Sequence, residues 1–228
     1  MLVNFFPLTV YKEKVGLDDK TRKLFASIIA DQQKGTSKDP HSPNESWVGG
    51  MHGKLSLHLA DEFQPLTQQY SKHLKAYMGQ LGFAGDDLDV FITRSWGTYG
   101  LANESISQHR HTSSALSIAY YVSLPEGSAS ITFATEAHQN EPIRGLFREG
   151  LINGKIDPRN PLSAINASIE VEEDDMVIFP SHMMHGVRPG RQNAPRISIA
   201  CDTVFLTKTV TNSEKILPPV TNWKNVSW

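Results

Sequence analysis

The chain has 228 residues, of which 39% are hydrophobic and 20% are charged, and its formal net charge is −2 at pH 7. This composition is typical of a globular domain and excludes a disordered chain. The small net charge disfavours a nucleic-acid or anionic-membrane partner, and no run approaches the roughly 18 apolar residues of a membrane helix.

The chain has a single cysteine, Cys201, which excludes an internal disulfide framework and is typical of a reducing compartment. It lies in the apolar run 197–201, so we interpret it as a small buried hydrophobe rather than a reactive thiol. The first residues show neither a basic leader nor a small-residue cleavage site. We therefore expect a cytoplasmic protein. The sequence leaves the oligomeric state open, a homo-oligomer included.

Two helices are predicted in the first third of the chain. The first begins at Asp18 or Asp19, which can cap it, and ends at Gly35. The second begins near Pro65 and ends at Gly82. Their apolar faces are Leu24, Phe25, Ile28 and Ile29 in the first helix, and Leu66, Tyr70, Leu74, Tyr77, Met78 and Leu81 in the second.

From about Leu88 the sequence changes to short β-type runs separated by turn formers. Many short strands without long helices between them predict an antiparallel sandwich or jelly roll. The fold class is therefore mainly β with N-terminal helices (α+β). We expect a single domain over 1–228, with a helical support region at 1–87, a β core at 88–210 and a tail at 211–228.

Two long segments are predicted to be loops. Residues 35–50 are rich in Gly, Ser, Pro and Asn and form a mobile loop in this prediction. Residues 134–165 form a long insertion that we expect to cover the mouth of the fold. These are the segments expected to touch a substrate, but their composition does not identify its chemical class.

Three of the nine histidines indicate a metal site. His109 and His111 are two residues apart, so on a strand they would project from one face and could bind the same ion. His185, from a distant segment, would complete a facial grip that leaves open coordination positions. The alternative for the pair is an ordinary polar strand face. His182, three residues before His185, would face the opposite way and is interpreted as a loop residue.

Arg196 and Ser198 share one face of an apparent strand eleven residues beyond His185. A guanidinium beside a hydroxyl is suited to binding a carboxylate. Arg188 and Arg191 are rival candidates, but they flank a turn and are expected to be solvated.

The order of these features resembles a known family. The features run from Trp96 through the histidine pair to a Ser-x-x-Tyr-Tyr-Val strand at 117–122, then to Phe179-Pro180-Ser181, His185 and Arg196-Ile197-Ser198. This order is similar to that of the iron(II)- and 2-oxoglutarate-dependent oxygenases, and the helical third fits one subgroup of them. The resemblance covers most of the chain.

The resemblance implies a double-stranded β-helix, the jelly-roll or cupin-like fold, with iron at one end. It implies that His109, His111 and His185 bind Fe(II), and that Arg196 with Ser198 holds the distal carboxylate of 2-oxoglutarate. Tyr121 stands where related enzymes place a tyrosine that hydrogen-bonds this co-substrate. The implied activity is a dioxygenase that uses O2 to hydroxylate an unidentified small molecule or protein side chain, with release of succinate and CO2.

The sequence departs from the superfamily at the second metal ligand. Most members have His-x-Asp or His-x-Glu, whereas this chain has His111, which leaves an Fe(II) centre more positive by one charge. Asp202 and Glu104 are conceivable substitutes, although neither is two residues from His109. Two other interpretations stay open. One is a three-histidine, cupin-like dioxygenase or isomerase that does not use 2-oxoglutarate, and the other is a catalytically inactive β-sandwich binding module.

Overall fold

A computed structural model describes residues 1, 3, 7–36, 41–83, 87–209 and 214–226. Within these residues it contains the helices α1 (Asp19–Gln33), α2 (Gln64–Gln80) and α3 (Leu146–Ile152). The strands are β1 (Tyr11–Lys14), β2 (Trp47–Val48), β3 (Leu88–Gly100), β4 (Ile106–His109), β5 (Leu116–Ser123), β6 (Ile131–Ala134), β7 (Asn166–Ser168), β8 (Asp175–Pro180), β9 (Met184–Val187) and β10 (Arg196–Thr207). No described helix combines the length and the apolar character that a bilayer span requires.

Helix α1 begins as predicted, because the Asp18 side chain accepts a hydrogen bond from the Thr21 N–H and caps the first turn. Phe25 and Ile29 are fully buried and hold the helix against the sheet. A Cβ on Gly97 of β3 would lie 2.8 Å from the Ile29 side chain, so only glycine permits this approach. The prediction for Leu24 was wrong, since this side chain is 46% exposed.

Helix α2 carries Pro65 in its first turn, where the missing N–H costs no hydrogen bond. Most of the predicted stripe is buried, including Leu66, Tyr70 and Tyr77. Leu81 is an exception: it follows the end of the helix and is 44% exposed. The stripe therefore serves as core packing, as predicted.

The strands form two antiparallel sheets, which confirms the predicted jelly roll. The larger sheet has the order β1-β8-β5-β10-β3-β2, and the smaller has the order β4-β9-β6-β7. Strand β10 lies between β5 and β3, so its side chains face neighbours on both sides. Cys201 of this strand is buried, as expected, and burial raises the pKa of its thiol.

The N-terminal third adds strands as well as helices, because β1 pairs with β8 and β2 pairs with β3. The predicted loop 35–50 is thus partly ordered: it contains β2 and the start of a 3-10 turn at Gly49–His52. Its residues 37–40 lie outside the described part of the chain. The predicted insertion 134–165 contains the short helix α3.

Candidate active site

The histidine site forms where β4 meets β9. His109, the last residue of β4, is in register with His185 of β9, so the two imidazoles come from adjacent strands. His111 lies beyond the end of β4, contrary to the prediction that both members of the pair share a strand. Its backbone is anchored instead by a hydrogen bond from the His111 N–H to the Ser181 carbonyl, 2.9 Å long.

The three imidazoles converge. One ring nitrogen from each of His109, His111 and His185 lies within 4.8 Å of the others. The Nε2 atoms of His109 and His111 are 3.1 Å apart. Two nitrogens about 2.1 Å from one ion and at right angles to each other would be about 3 Å apart, taking the bond length of zinc–imidazole sites. The spacing therefore fits two ligands of a single cation.

The second nitrogen of each ring orients its imidazole. The His109 Nδ1–H donates to the Ser107 carbonyl and the His185 Nδ1–H donates to the Met183 carbonyl, each at 2.8 Å. A carbonyl oxygen only accepts, so the proton is on Nδ1 and the lone pair is on Nε2. Lone pairs aimed at a common point repel each other unless a cation lies between them, so the donor set fits a metal ion.

The surroundings favour neutral imidazoles. Burial lowers the pKa of His185 to about 4, although its hydrogen bond to the Met183 carbonyl opposes the change. Burial also lowers the pKa of His109, and the neighbouring His111 adds to the effect. Both rings are thus unprotonated at neutral pH, as metal ligands must be.

Asp202 lies behind His111 rather than among the converging nitrogens. Its fully buried carboxylate accepts from His111 Nδ1 at 2.6 Å and from Ser117 Oγ at 2.9 Å through Oδ1, and from Arg94 Nε at 2.6 Å through Oδ2. Burial acts to raise the pKa of Asp202, but these hydrogen bonds outweigh it and the pKa is lowered. Glu104 does not join the cluster and accepts from the Leu101 N–H.

The predicted carboxylate clamp occupies the other end of β10. Arg196 is buried, with 6% of its surface exposed, and its Nε donates to the Ala129 carbonyl at 3.1 Å. Its Nη1 lies 3.5 Å from Ser198 Oγ. No carboxylate pairs with it among the described residues. A buried guanidinium without an anionic partner is costly, which makes it a strong candidate for binding an anion.

Tyr121 and Thr98 lie beside the predicted clamp. In the sheet both residues are in register with Ser198, one on β5 and one on β3. Thr98 Oγ1 and Ser198 Oγ are 2.6 Å apart. The Tyr121 hydroxyl is buried and has no hydrogen-bond partner in the described part of the chain, and the Arg196 guanidinium lies 5.3 Å from its ring centre. Burial raises the pKa of Tyr121 to about 12, so it is a neutral donor.

One cavity of about 610 Å³ joins the histidines to the clamp. Between the two ends, Ala200 of β10 is paired with Ala119 of the adjacent strand β5. Both side chains are small, which leaves room for a ligand. Residues 45–51 contribute to the lining, whereas no residue of 134–165 does. The expectation that the insertion covers the mouth of the fold was therefore wrong with respect to this cavity.

The rival residues lie apart from the site. His182 is exposed in the turn before β9, and Arg188 and Arg191 are exposed as expected. Sequence reasoning missed Arg94 and Thr98, because isolated polar residues in β-type runs carry no distinctive local signal, and it used Ser117 only as part of the Ser-x-x-Tyr-Tyr-Val motif. It considered Asp202 only as an alternative ligand.

Comparison with known families shows which class the site resembles. Residues 94–202, which contain the three histidines, Asp202 and the residues of the predicted clamp, match the family model described as "Putative 2OG-Fe(II) oxygenase". Over this segment, a little under half of the chain, the sequence is similar to the Fe(II)- and 2-oxoglutarate-dependent oxygenases, a class of oxidoreductases. That class uses Fe(II) as cofactor and 2-oxoglutarate as co-substrate, and the three converging histidines offer a matching metal site. No curated protein matches the sequence.

Solved structures share the fold at low identity. HygX from Streptomyces hygroscopicus, solved with nickel, 2-oxoglutarate and hygromycin B, has a TM-score of 0.53 at 12% identity, over 92% of this chain and 91% of its own. The viral collagen prolyl hydroxylase vCPH from Paramecium Bursaria Chlorella virus-1 has a TM-score of 0.50 at 8% identity, over 85% and 94%. The epimerase SnoN from nogalamycin biosynthesis has a TM-score of 0.55 at 10% identity, over 86% and 78%. Because these names include a hydroxylase and an epimerase, the fold does not determine the reaction.

Proposed function

We propose that this protein hydroxylates a C–H bond of its substrate, converting 2-oxoglutarate and O2 to succinate and CO2. One oxygen atom of O2 enters the product and the other enters succinate. The observation that carries the proposal is a single cavity with three converging imidazoles at one end and a buried, unpaired guanidinium at the other. Iron would supply the oxidative chemistry, and the protein positions the reactants.

In this proposal His109, His111 and His185 hold the iron. Three protein ligands leave three coordination positions, enough for a chelating 2-oxo acid and for O2. The support comes from the ring tautomers, since Nδ1 of each imidazole is engaged by a carbonyl or carboxylate oxygen. Each ring therefore reaches the centre in an orientation that the protein has already set.

Arg196, Ser198 and Tyr121 hold the distal carboxylate of 2-oxoglutarate. The guanidinium supplies charge and a fork of donors, and the two hydroxyls supply further donors. Thr98 would orient the Ser198 hydroxyl, because their oxygen atoms are 2.6 Å apart. Binding at both ends would align the co-substrate along the cavity past Ala200.

The buried clamp disfavours the two alternative functions. A three-histidine enzyme that does not use 2-oxoglutarate has no need for an unpaired guanidinium in the same cavity. A binding module with purely structural histidines gives no reason for three imidazoles from separate segments to converge within 4.8 Å. The family match also favours the co-substrate.

The primary substrate would enter over residues 45–51, where Met51 is 69% exposed at the mouth and Glu45 accepts from the Ser107 hydroxyl. A small molecule or a protein side chain fits the volume. The cytoplasmic location, the division of the chain into regions and the absence of nucleic-acid and membrane partners stay predictions.

The test is anaerobic addition of Fe(II) and then 2-oxoglutarate to the purified protein. We expect a weak visible charge-transfer band, followed by succinate formation on aeration. The Arg196→Ala variant distinguishes this proposal from a three-histidine enzyme that does not use 2-oxoglutarate. Under the proposal, the variant should lose the band at moderate 2-oxoglutarate concentration. In the other type of enzyme, the substitution should leave metal binding and activity unchanged. Absence of both the band and succinate in the wild-type protein would refute the proposal.

A further inference from the structure

The geometry points to Asp202 as the carboxylate of this metal centre, acting on the ion through the His111 ring instead of binding it directly. This inference rests on the proposed role of His111 as a ligand. The juxtaposition that carries it is the row Arg94–Asp202–Ser117 across β3, β10 and β5, which directs one carboxylate oxygen at His111 Nδ1.

The charge of a three-histidine metal site favours a nearby carboxylate. Three neutral imidazoles leave Fe(II) with its full double charge, one unit more than a ligand set with one carboxylate. The Asp202 carboxylate supplies one negative charge, separated from the metal position by the His111 ring. Its side chain is fully buried, so little solvent screens it from the ring and the ion.

The hydrogen-bond pattern indicates that this polar cluster positions His111 in addition to stabilising the sheet. Oδ1 accepts from both His111 Nδ1 and Ser117 Oγ, and Ser117 Oγ also lies 3.0 Å from His111 Nδ1 and 2.9 Å from Ser181 Oγ. Ser181 in turn accepts the His111 backbone N–H through its carbonyl. Both the backbone and the ring of His111 are thus held by one polar cluster.

Arg94 sets how much of the carboxylate charge reaches the ring. Its Nε donates to Oδ2, its guanidinium lies 5.5 Å from the Trp96 ring centre, and it lines the cavity. A cation on one oxygen of Asp202 withdraws negative charge from the other. Substitutions of Asp202 and Arg94 should therefore change the electron density at the metal in opposite directions. Purely structural roles for the two residues would not produce opposite changes.

The experiment compares four variants with the wild-type protein. Asp202→Asn removes the charge, Arg94→Gln removes the opposing cation, and Arg94→Lys retains it. Asp175→Asn is the matched control, because Asp175 is also a buried β-sheet carboxylate with lysine partners but lies outside the histidine cluster. Anaerobic Fe(II) titration gives the affinity, and the Fe(II)–2-oxoglutarate band gives the electron density at iron.

Asp202→Asn should weaken Fe(II) binding by about 10- to 100-fold, the range for partners of ligating histidines, and move the band to shorter wavelength. Arg94→Gln should move the band to longer wavelength without weakening Fe(II) binding. Arg94→Lys and Asp175→Asn should leave both readouts as in the wild type.

Wild-type affinity and an unshifted band in a folded Asp202→Asn protein would overturn the inference while leaving the proposed function intact. If Asp202→Asn does not fold, Arg94→Gln decides, and an unshifted band there would overturn it. Failure of the wild-type protein to bind Fe(II) would instead refute the proposed function itself.

Discussion

The two ends of the cavity are built differently. The clamp lies within one sheet, where Thr98, Ser198 and Tyr121 are neighbours on β3, β10 and β5. The histidine end spans both sheets, because His109 and His185 belong to the smaller sheet and Asp202 to the larger one. The positions of these three clamp residues therefore depend on the register of three neighbouring strands. The metal end forms only when the two sheets are packed together, so the two ends should respond differently to perturbation.

The largest effect should come from His185→Ala. Loss of one of three ligands should lower Fe(II) affinity by more than about 100-fold, beyond the range seen for partners of ligating histidines. Anaerobic titration calorimetry with Fe(II) measures this. His182→Ala is the control, since His182 is exposed in the preceding turn and should bind Fe(II) normally. Retention of tight binding by His185→Ala would show that the metal end is not formed by these histidines.

Arg196→Met should affect the opposite end alone. Charge-assisted hydrogen bonds contribute about 1.5–3 kcal/mol each, so 2-oxoglutarate affinity should fall by about 10- to 100-fold while Fe(II) affinity is retained. Titration of the charge-transfer band with 2-oxoglutarate measures the first quantity. Arg191→Met, at an exposed position, should behave like the wild type. Equal losses of iron and co-substrate binding would mean that the two ends are not independent.

Acidification should destabilise the metal-free protein through its histidine end. The pKa of His185 is lowered in the folded state to about 4, so the unfolded state binds more protons as pH falls below about 6.5. The free energy of unfolding should therefore fall between about pH 6.5 and pH 4, by on the order of 3 kcal/mol for His185. Urea unfolding across this range measures the slope. His185→Gln should flatten the slope and His182→Ala should not; an unchanged slope in His185→Gln would contradict the assignment.

The smallest effect should come from Tyr121→Phe. The hydroxyl has no partner among the described residues, so removing it should leave the stability of the ligand-free protein unchanged or slightly raised. One neutral hydrogen bond to 2-oxoglutarate would be lost, for an affinity decrease of about three- to tenfold. Thermal unfolding and band titration measure the two quantities. A destabilised ligand-free protein with normal co-substrate affinity would assign Tyr121 to the core rather than to the clamp.

Local sequence patterns were sufficient to predict the structural features that depend on residues close together along the chain. The Asp18 cap and the buried stripe of α2 follow from short-range sequence patterns. Arg196 and Ser198 were paired correctly because residues two apart on a strand share a face. The strand assignment of His111 was wrong because β4 ends at His109 and a long-range bond to Ser181 places the ring.

Contacts between distant segments were decided only by the tertiary structure. The sequence by itself determined the residue types of the site, their order and the jelly-roll class. Only the packed sheets decided that His109 lies opposite His185, that Asp202 supports His111 from 91 residues away, and that residues 45–51 rather than 134–165 line the cavity. The physical reason is that strand register and sheet closure are set by the packing of the whole core, whereas periodicity reports only which face a residue occupies.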